Sequence, residues 1–353
     1  MDFFETDKLT ALEAKEKAQW IAFAPVVFQA TRVLRDTGIL NEIEKNQGLT
    51  LSEVVERVKL PLYGTRVLVE AALGIGLLTL RDDRYYTTKM ATFILHDNLT
   101  RVNMDFTHDV CYQGMFYLED SIRNEKPEGL KVFGQWPTIY EGLSKLPAHV
   151  QKSWFGFDHF YSDYAFPDVL PFVFEKKPKK LLDIGGNTGK WALQCFEFDP
   201  EVKVTIMDLP GQVEMAKQQI VAKGFGERIE FYPCNLLDEQ HPFPKHFDAI
   251  WMSQFLDCFS GDQIKSILKR CRKALAPNGC VYILEPFWNR QRFQASAFSL
   301  QQTSLYFTAM ANGNSQMYHS ENFTGYVKEA GFNTEEQNGL VGVSHTLLKC
   351  TPS

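Results

Sequence analysis

Leu181-Leu182-Asp183-Ile184-Gly185-Gly186-Asn187-Thr188-Gly189 decides how this chain is read. A short apolar run ends in an acidic residue and passes through a glycine-rich turn. It then enters Lys190-Trp191-Ala192-Leu193-Gln194-Cys195-Phe196, which has the pattern of a helix. Glycine lets backbone approach a ligand where a side chain would collide. A second apolar run, Val202 to Met207, ends at Asp208, 19 residues past Gly189. A strand-end carboxylate at that spacing meets a ribose hydroxyl in a nucleotide-binding α/β sheet. The pair predicts a site for a nucleoside-containing cofactor.

Strand and helix patterns alternate from Lys179 onward. Strands are expected at 180–184, 202–207, 229–232, 247–252 and 280–284, with helices at 190–197, 211–223 and 262–275. Such alternation implies a parallel sheet covered on both faces. A helix at 321–330 stops at Gly331, and strands near 332–337 and 344–350 form a closing antiparallel hairpin.

Upstream, residues 11–37 carry apolar residues at helical spacing (Leu12, Trp20, Phe23, Val27, Ala30, Leu34). Thr50-Leu51-Ser52-Glu53 is a capping-box pattern opening a helix over 53–58, and Tyr63 to Ile75 is a second helix stopped by glycines. Residues 77–80 and 85–88 read as a hairpin around Arg81-Asp82-Asp83-Arg84. Helix, turn, helix and hairpin spell a winged helix. Between Leu62 and Leu78 its second helix has one basic residue, Arg66, so it lacks the cations that phosphate contact needs. A dimerisation role fits better. The domains expected are therefore 1–104 and 105–353. Within the latter, 105–175 is an aromatic, mostly helical, substrate-lining connector broken at 126–129 and 146–147, and Pro167, Pro171 and Pro178 punctuate the approach to the glycine turn.

The 353 residues suit two domains with real cores, and a net charge of −6 speaks against general affinity for nucleic acid or anionic membrane. No apolar run has membrane-spanning length, and the acidic Met1-Asp2-Phe3-Phe4-Glu5 start shows no secretory signal, so a cytoplasmic protein is expected. Seven cysteines without C-x-x-C spacing read as free thiols, with no zinc set and no metal site. The 28 phenylalanines fit either an aromatic pocket or a Phe-rich core.

Three details turn the cofactor toward S-adenosyl-L-methionine. Asp183 directly precedes the turn, where a pyrophosphate would repel it and a sulfonium ligand with an ammonium group would not. The turn follows a helical domain, and the sheet ends in a hairpin. Asn235 is a polar residue among apolar neighbours at a strand end, suited to an adenine edge, though a β-turn asparagine would look the same. Here the chain resembles the class I S-adenosylmethionine-dependent small-molecule O-methyltransferases with an N-terminal winged-helix dimerisation domain. The resemblance rests on Leu182–Gly189, Met207-Asp208-Leu209-Pro210, Phe247–Met252, the helix Ile264 to Leu275 with Ala276-Pro277-Asn278-Gly279, and Ile283-Leu284-Glu285-Pro286. It implies a Rossmann-like α/β methyltransferase sheet, parallel with a closing antiparallel hairpin, plus a mainly helical winged-helix domain that pairs two subunits as a homodimer.

The resemblance also assigns roles. Asp183 and Gly185 face the methionine portion, Gly186, Asn187 and Gly189 shape the turn, Asp208 holds both ribose hydroxyls, and Leu209 beside it is a further cofactor-binding residue. Asn235 and Leu236 stand where the family has an adenine-contacting Asp and an apolar neighbour, and Ser253 where many relatives have Lys. The family's catalytic His falls on Asp257, its first supporting carboxylate on Glu285 and its second on Met317. The aromatic run Trp154 to Tyr161, Phe287-Trp288 and Tyr306-Phe307 are candidates for the substrate pocket, with Phe155, His159, Phe160, Trp288, Phe307 and Met317 as its residues, although the run 154–161 could equally just join two domains.

An exposed Asp, with a pKa of about 4, is a weak base toward a phenol of pKa about 10. Four explanations stand. Burial beside Glu285 raises one of the two carboxylates; His159 or His319 supplies the base; no base is needed; or Asp257 is an ordinary helix-start carboxylate and Glu285 a structural acceptor. The function expected is methyl transfer to a hydroxyl of a small aromatic molecule. Against it stand the same scaffold using the cofactor for decarboxylation or hydroxylation, or binding it without turnover, a winged-helix DNA-binding regulator, and a nicotinamide dehydrogenase.

Overall fold

The computed structural model describes residues 4–353, which form two units, one running to Asp105 and the other from Phe106 to Ser353. In the first unit, α1 (Ala11–Asp36) opens on a capping box in which the Thr10 hydroxyl accepts from the Glu13 N–H and Glu13 accepts from the Thr10 N–H. The structure adds a helix absent from the sequence reading, α2 (Ile39–Lys45), which begins after Gly38 in the left-handed region at φ 81°. The helix α3 (Leu51–Val58) starts two residues earlier than expected, because the Thr50–Glu53 box makes Thr50 the N-cap. Then come α4 (Leu62–Ile75), the hairpin β1 (Leu78–Arg81) and β2 (Arg84–Thr87), and α5 (Lys89–His96). Leu34, Ile39, Ile43, Val54, Val69 and Leu77 pack as this unit's core. On α4, Val69 and Ala72 are buried while Val67 is exposed.

The helix α6 (Asn98–Phe106) leads into the connector. The connector carries a π-helical turn at Thr107–Cys111, then α7 (Leu118–Asn124), α8 (Ile139–Gly142), α9 (Ala148–Asp163) and α10 (Phe166–Val173). Pro167 and Pro171 do not interrupt the chain as expected. Pro167 sits in the first turn of α10, whose N–H groups have no intrahelical partner, and Pro171 is accommodated within the same short helix.

The sheet follows: β3 (Lys180–Ile184), α11 (Lys190–Phe198), β4 (Lys203–Asp208), α12 (Pro210–Ala222), β5 (Ile229–Pro233), β6 (Phe247–Ser253), α13 (Gly261–Ala274) and β7 (Leu275–Pro286). β7 starts five residues before the predicted strand, with a register shift against β6 that absorbs Ala276–Gly279. A helix the sequence reading lacked, α14 (Gln294–Tyr306), runs into a second π-helical turn at Phe307–Ala311. The chain ends with α15 (Ser320–Glu329), β8 (Phe332–Val341) and β9 (His345–Pro352). The strand order is β5-β4-β3-β6-β7-β9-β8; all neighbours up to β7 are parallel, and β9 pairs antiparallel with β7 and β8.

Alternation along these strands sends Leu181, Val204, Ile206, Trp251 and Leu284 to one face, against α10 and α11. Leu182, Ile184, Ile250, Met252 and Ile283 go to the other, against α13 and α15. A sheet buried on both faces needs this double apolar pattern. Strand order reverses between β3 and β6, so the loops after these strands diverge and leave a crevice at their C-terminal ends.

Candidate active site

That crevice opens into a cavity of about 370 Å³. Its floor is the turn after β3. Gly185 has φ 76°, and a Cβ there would lie 2.2 Å from the Phe255 ring, so only glycine fits. A Cβ on Gly186 would lie 2.8 Å from Asp183 Oδ2. Gly189, at φ 81°, is the N-cap of α11 and does not line the cavity; it shapes the turn from behind, against Ile220. Asp208, at the end of β4, fastens the turn: Asn187 N–H donates to Oδ2 at 2.9 Å and Leu209 N–H to Oδ1 at 2.7 Å.

Asp183 is 2% exposed, its Oδ2 has no hydrogen-bond partner, and burial pushes its pKa well up. A buried, unpaired carboxylate oxygen is costly, and a cationic ligand answers it. Asp208 is raised by burial to about 6, held from going further by its two backbone donors. The bare backbone at Gly185 and Gly186 and the orphaned Asp183 oxygen together fit the methionine end of S-adenosylmethionine, and Asp208 fits the ribose hydroxyls. Leu209, Leu236 and Asn235 line the next stretch of wall, with Asn235 also closing a turn by accepting from Leu237 N–H at 2.9 Å. Ser253 lines the cavity from the end of β6, and its buried hydroxyl is unpartnered.

The loop after β6 brings Asp257 to the cavity on a single turn of 3-10 helix, Leu256–Cys258. Asp257 is 4% exposed, and burial raises it to about 7. It thus sits in the first turn of that short helix, as the helix-start alternative has it, but buried. Glu285 is placed differently from expectation. It does not line the cavity; it lies 1% exposed in β7, where its Oε1 accepts from Phe255 N–H at 3.0 Å and Leu256 N–H at 2.7 Å. Burial and the Asp257 charge push its pKa well up. Glu285 anchors the turn that presents Asp257.

The two candidate histidines also separate. His319 does not line the cavity; its Nδ1 accepts from Glu321 N–H at 3.2 Å as the cap of α15. His159 lines the cavity, but burial lowers it to about 4, too weak a base to compete with a carboxylate at about 7.

Phe307 and Met317 line the cavity, whereas Phe155, Phe160 and Trp288 do not. On α9, Trp154, Asp158 and Tyr161 follow the helical repeat along the cavity face. Phe160 lies on the opposite side against Tyr161 and Tyr164. Phe155 packs on Trp154 and His159, which stand between it and the cavity. Trp288 packs edge-on against His319. Trp154 and Tyr306, from aromatic segments the sequence pointed to, line the wall, the Tyr306 hydroxyl accepting from Trp154 Nε1–H at 2.8 Å, and residues the sequence reading did not single out complete it: Phe106, Tyr140 and Asp158, whose Oδ2 accepts from Asn187 Nδ2–H at 3.0 Å. A lone carboxylate four residues after Trp154 in an aromatic run was the available signal for Asp158.

Residues 115–333 match the model of the O-methyltransferase domain, and residues 15–85 match a Dimerisation2-like domain. The chain belongs to the O-methyltransferase family. It is a methyltransferase, and its cofactor is S-adenosylmethionine. Among similar proteins, an L-tyrosine C(3)-methyltransferase of Streptomyces lavendulae is 23% identical over 324 residues, 91% of this chain and 87% of that one. A 3-hydroxy-5-methyl-1-naphthoate 3-O-methyltransferase of Streptomyces sahachiroi is 24% identical, over 66% of each chain. The fold is shared with the crystal structure of an O-methyltransferase (NcsB1) from neocarzinostatin biosynthesis, in complex with S-adenosylmethionine and 2-hydroxy-5-methyl naphthoic acid. The TM-score is 0.70 at 16% identity, covering 92% of this chain and 96% of that one.

Proposed function

We propose that this protein transfers the methyl group of S-adenosylmethionine to a phenolic hydroxyl of a small aromatic molecule, with Asp257 as the base. One observation carries this reading: a buried carboxylate raised to about 7 lines the same cavity as the glycine turn. When bound, the cofactor supplies a methyl group already activated on a sulfonium, so the protein must align the acceptor oxygen and take its proton. Asp183 and Asn187 hold the methionine end, Asp208 the ribose, and Leu209, Asn235 and Leu236 the adenine. Trp154, Tyr306, Phe307 and Met317 clamp the acceptor ring. The acceptor's O–H bond breaks toward Asp257 as its oxygen bonds the methyl carbon, and the carbon–sulfur pair stays on sulfur. The naphthoate methyltransferase among the relatives supports an aromatic acceptor.

A second reading is favoured by the carboxylate at 257 in place of the family's His and by the tyrosine C-methyltransferase relative. In it the ring carbon beside the phenolic oxygen accepts the methyl group, and Asp257 takes the proton that carbon loses. Incubation with isotope-labelled cofactor and a panel of phenols and catechols separates the two by carbon NMR of the product. A labelled methoxy signal supports the first reading, an aryl-methyl signal the second, and no label in any phenol defeats both.

The protein is further proposed to work in the cytoplasm as a homodimer joined through its first unit. No helix is long and apolar enough to cross a membrane among the described residues. In that unit α1 exposes Leu12, Ile21, Phe23 and Val26, and α4 exposes Tyr63 and Val67. Such apolar surface marks an interaction site, and it lies largely within the stretch matching the dimerisation domain. Light scattering at micromolar concentration is expected to give twice the 40.5 kDa chain mass, falling to a monomer for Ile21→Asp with Phe23→Asp. A monomeric parent protein removes the dimer, and recovery with the membrane fraction removes the location.

A further inference from the structure

The wall assigned to the adenine is made by a segment with no secondary structure of its own. Residues 234–246 join β5 to β6 without helix or strand, and such a connection is mobile unless other elements hold it. Within it Asn235 and Leu236 line the cavity. Local bonds shape the turn: Leu237 N–H donates to Asn235 Oδ1 and Asp238 N–H to Asn235 O. They close the turn on itself and do not tie it to the rest of the domain.

One side chain supplies that tie. Arg270 projects from the second half of α13, a helix seated by the buried Ile264, Ile267, Leu268 and Cys271. Its Nη2 donates to Leu236 O, and its Nη1 to Asp238 O at 3.1 Å. The guanidinium carbon lies 4.6 Å from the centre of the Phe243 ring, in the same segment. The third nitrogen, Nε, is buried without a partner, so the cation's hydrogen bonds fall on this segment alone. A planar guanidinium forks to two acceptors in a way a single ammonium does not. Arg270 itself does not line the cavity. Leu236 is thus gripped by its carbonyl from outside while it lines the cavity within.

We propose that Arg270 is a positioning residue for the cofactor's adenine, acting through the main chain of Leu236 and Asp238 and touching no ligand. This rests on the reading that Asn235 and Leu236 hold the base. With the clamp in place the wall is formed before the cofactor arrives. Without it, binding must also order the segment, and the cost appears in affinity.

Calorimetry on the full protein with S-adenosylhomocysteine tests this in a cycle of variants. Arg270→Met, which keeps an unbranched stem but removes both donors, is expected to weaken binding roughly 10- to 100-fold. Arg270→Lys, whose ammonium serves one carbonyl, is expected to recover about half of that loss on a logarithmic scale. Asn235→Ala alone is expected to cost roughly 2- to 10-fold, the worth of one neutral hydrogen bond. The double variant, Arg270→Met with Asn235→Ala, is expected to bind no more weakly than Arg270→Met alone, because an unclamped segment no longer brings Asn235 to the base. A role confined to the stability of the fold would leave the affinity of the folded variant near the parent's or let the two losses multiply. Arg270→Met at parental affinity, losses that multiply, or no recovery with lysine overturns the proposal. Should Arg270→Met fail to fold, Arg270→Lys carries the same cycle with Asn235→Ala. Asn235→Ala at parental affinity instead defeats the reading that Asn235 holds the base, and this inference falls with it.

Discussion

Asp208→Ala is expected to weaken S-adenosylhomocysteine binding by about 10²- to 10⁴-fold. The carboxylate does two jobs with two oxygens. It holds Asn187 N–H and Leu209 N–H, which fixes the turn after β3, and it faces the cavity where the ribose hydroxyls would donate. Each hydrogen bond to a charged group is worth about 1.5–3 kcal/mol. Two lost to the ligand give about 3–6 kcal/mol, which is that range of affinity. Calorimetry reads it directly. Retention of binding within about threefold, less than the loss of one such bond, would show that the ribose is held elsewhere.

Asp257→Asn is expected to lower kcat by about 10²- to 10⁴-fold, the usual contribution of a positioned general base, with little change in KM for S-adenosylmethionine. The direction of the pH dependence follows from the raised pKa. Asp257 accepts a proton only when ionised, and burial holds its pKa near 7. Activity should therefore rise between pH 6 and 8 and fall about tenfold per unit below that range. Because the Asp257 charge raises Glu285 and the Asp158 charge raises Asp257, the limb reports coupled carboxylates rather than Asp257 alone. The Asn variant should lose the limb along with the rate. An Asn variant of parental kcat sinks Asp257 as the base.

The cofactor half of the site was legible in the sequence because its requirements are local. A turn that admits a ligand against bare backbone must be glycine-rich, and a ribose-binding carboxylate must end the next strand. Asp183 through Asp208 satisfy both within one βαβ segment. The acceptor half was only partly legible because it is assembled from distant segments. Phe106, Tyr140, Trp154, Tyr306 and Met317 meet through packing that no short-range pattern records. Within α9 the aromatic run 154–161 was visible, but which side faces the cavity depends on how the helix is docked. Phe155 and Phe160 therefore fell on the wrong side and Asp158 was passed over. Glu285 misled for another reason. Sequence places it at the end of a strand, where a site residue is expected, and does not reveal that its side chain turns to the backbone of the neighbouring loop.

That choice of partner bears on how such a scaffold can change its chemistry. Glu285 grips peptide N–H groups, which every residue but proline carries, so its hold is indifferent to the side chains it supports. The loop is thus pinned by its main chain at 255 and 256, with the Phe255 ring wedged beneath Gly185. Position 257 projects from a fixed socket. Holding the loop in place and offering a group to the acceptor are therefore separate requirements, met by different residues.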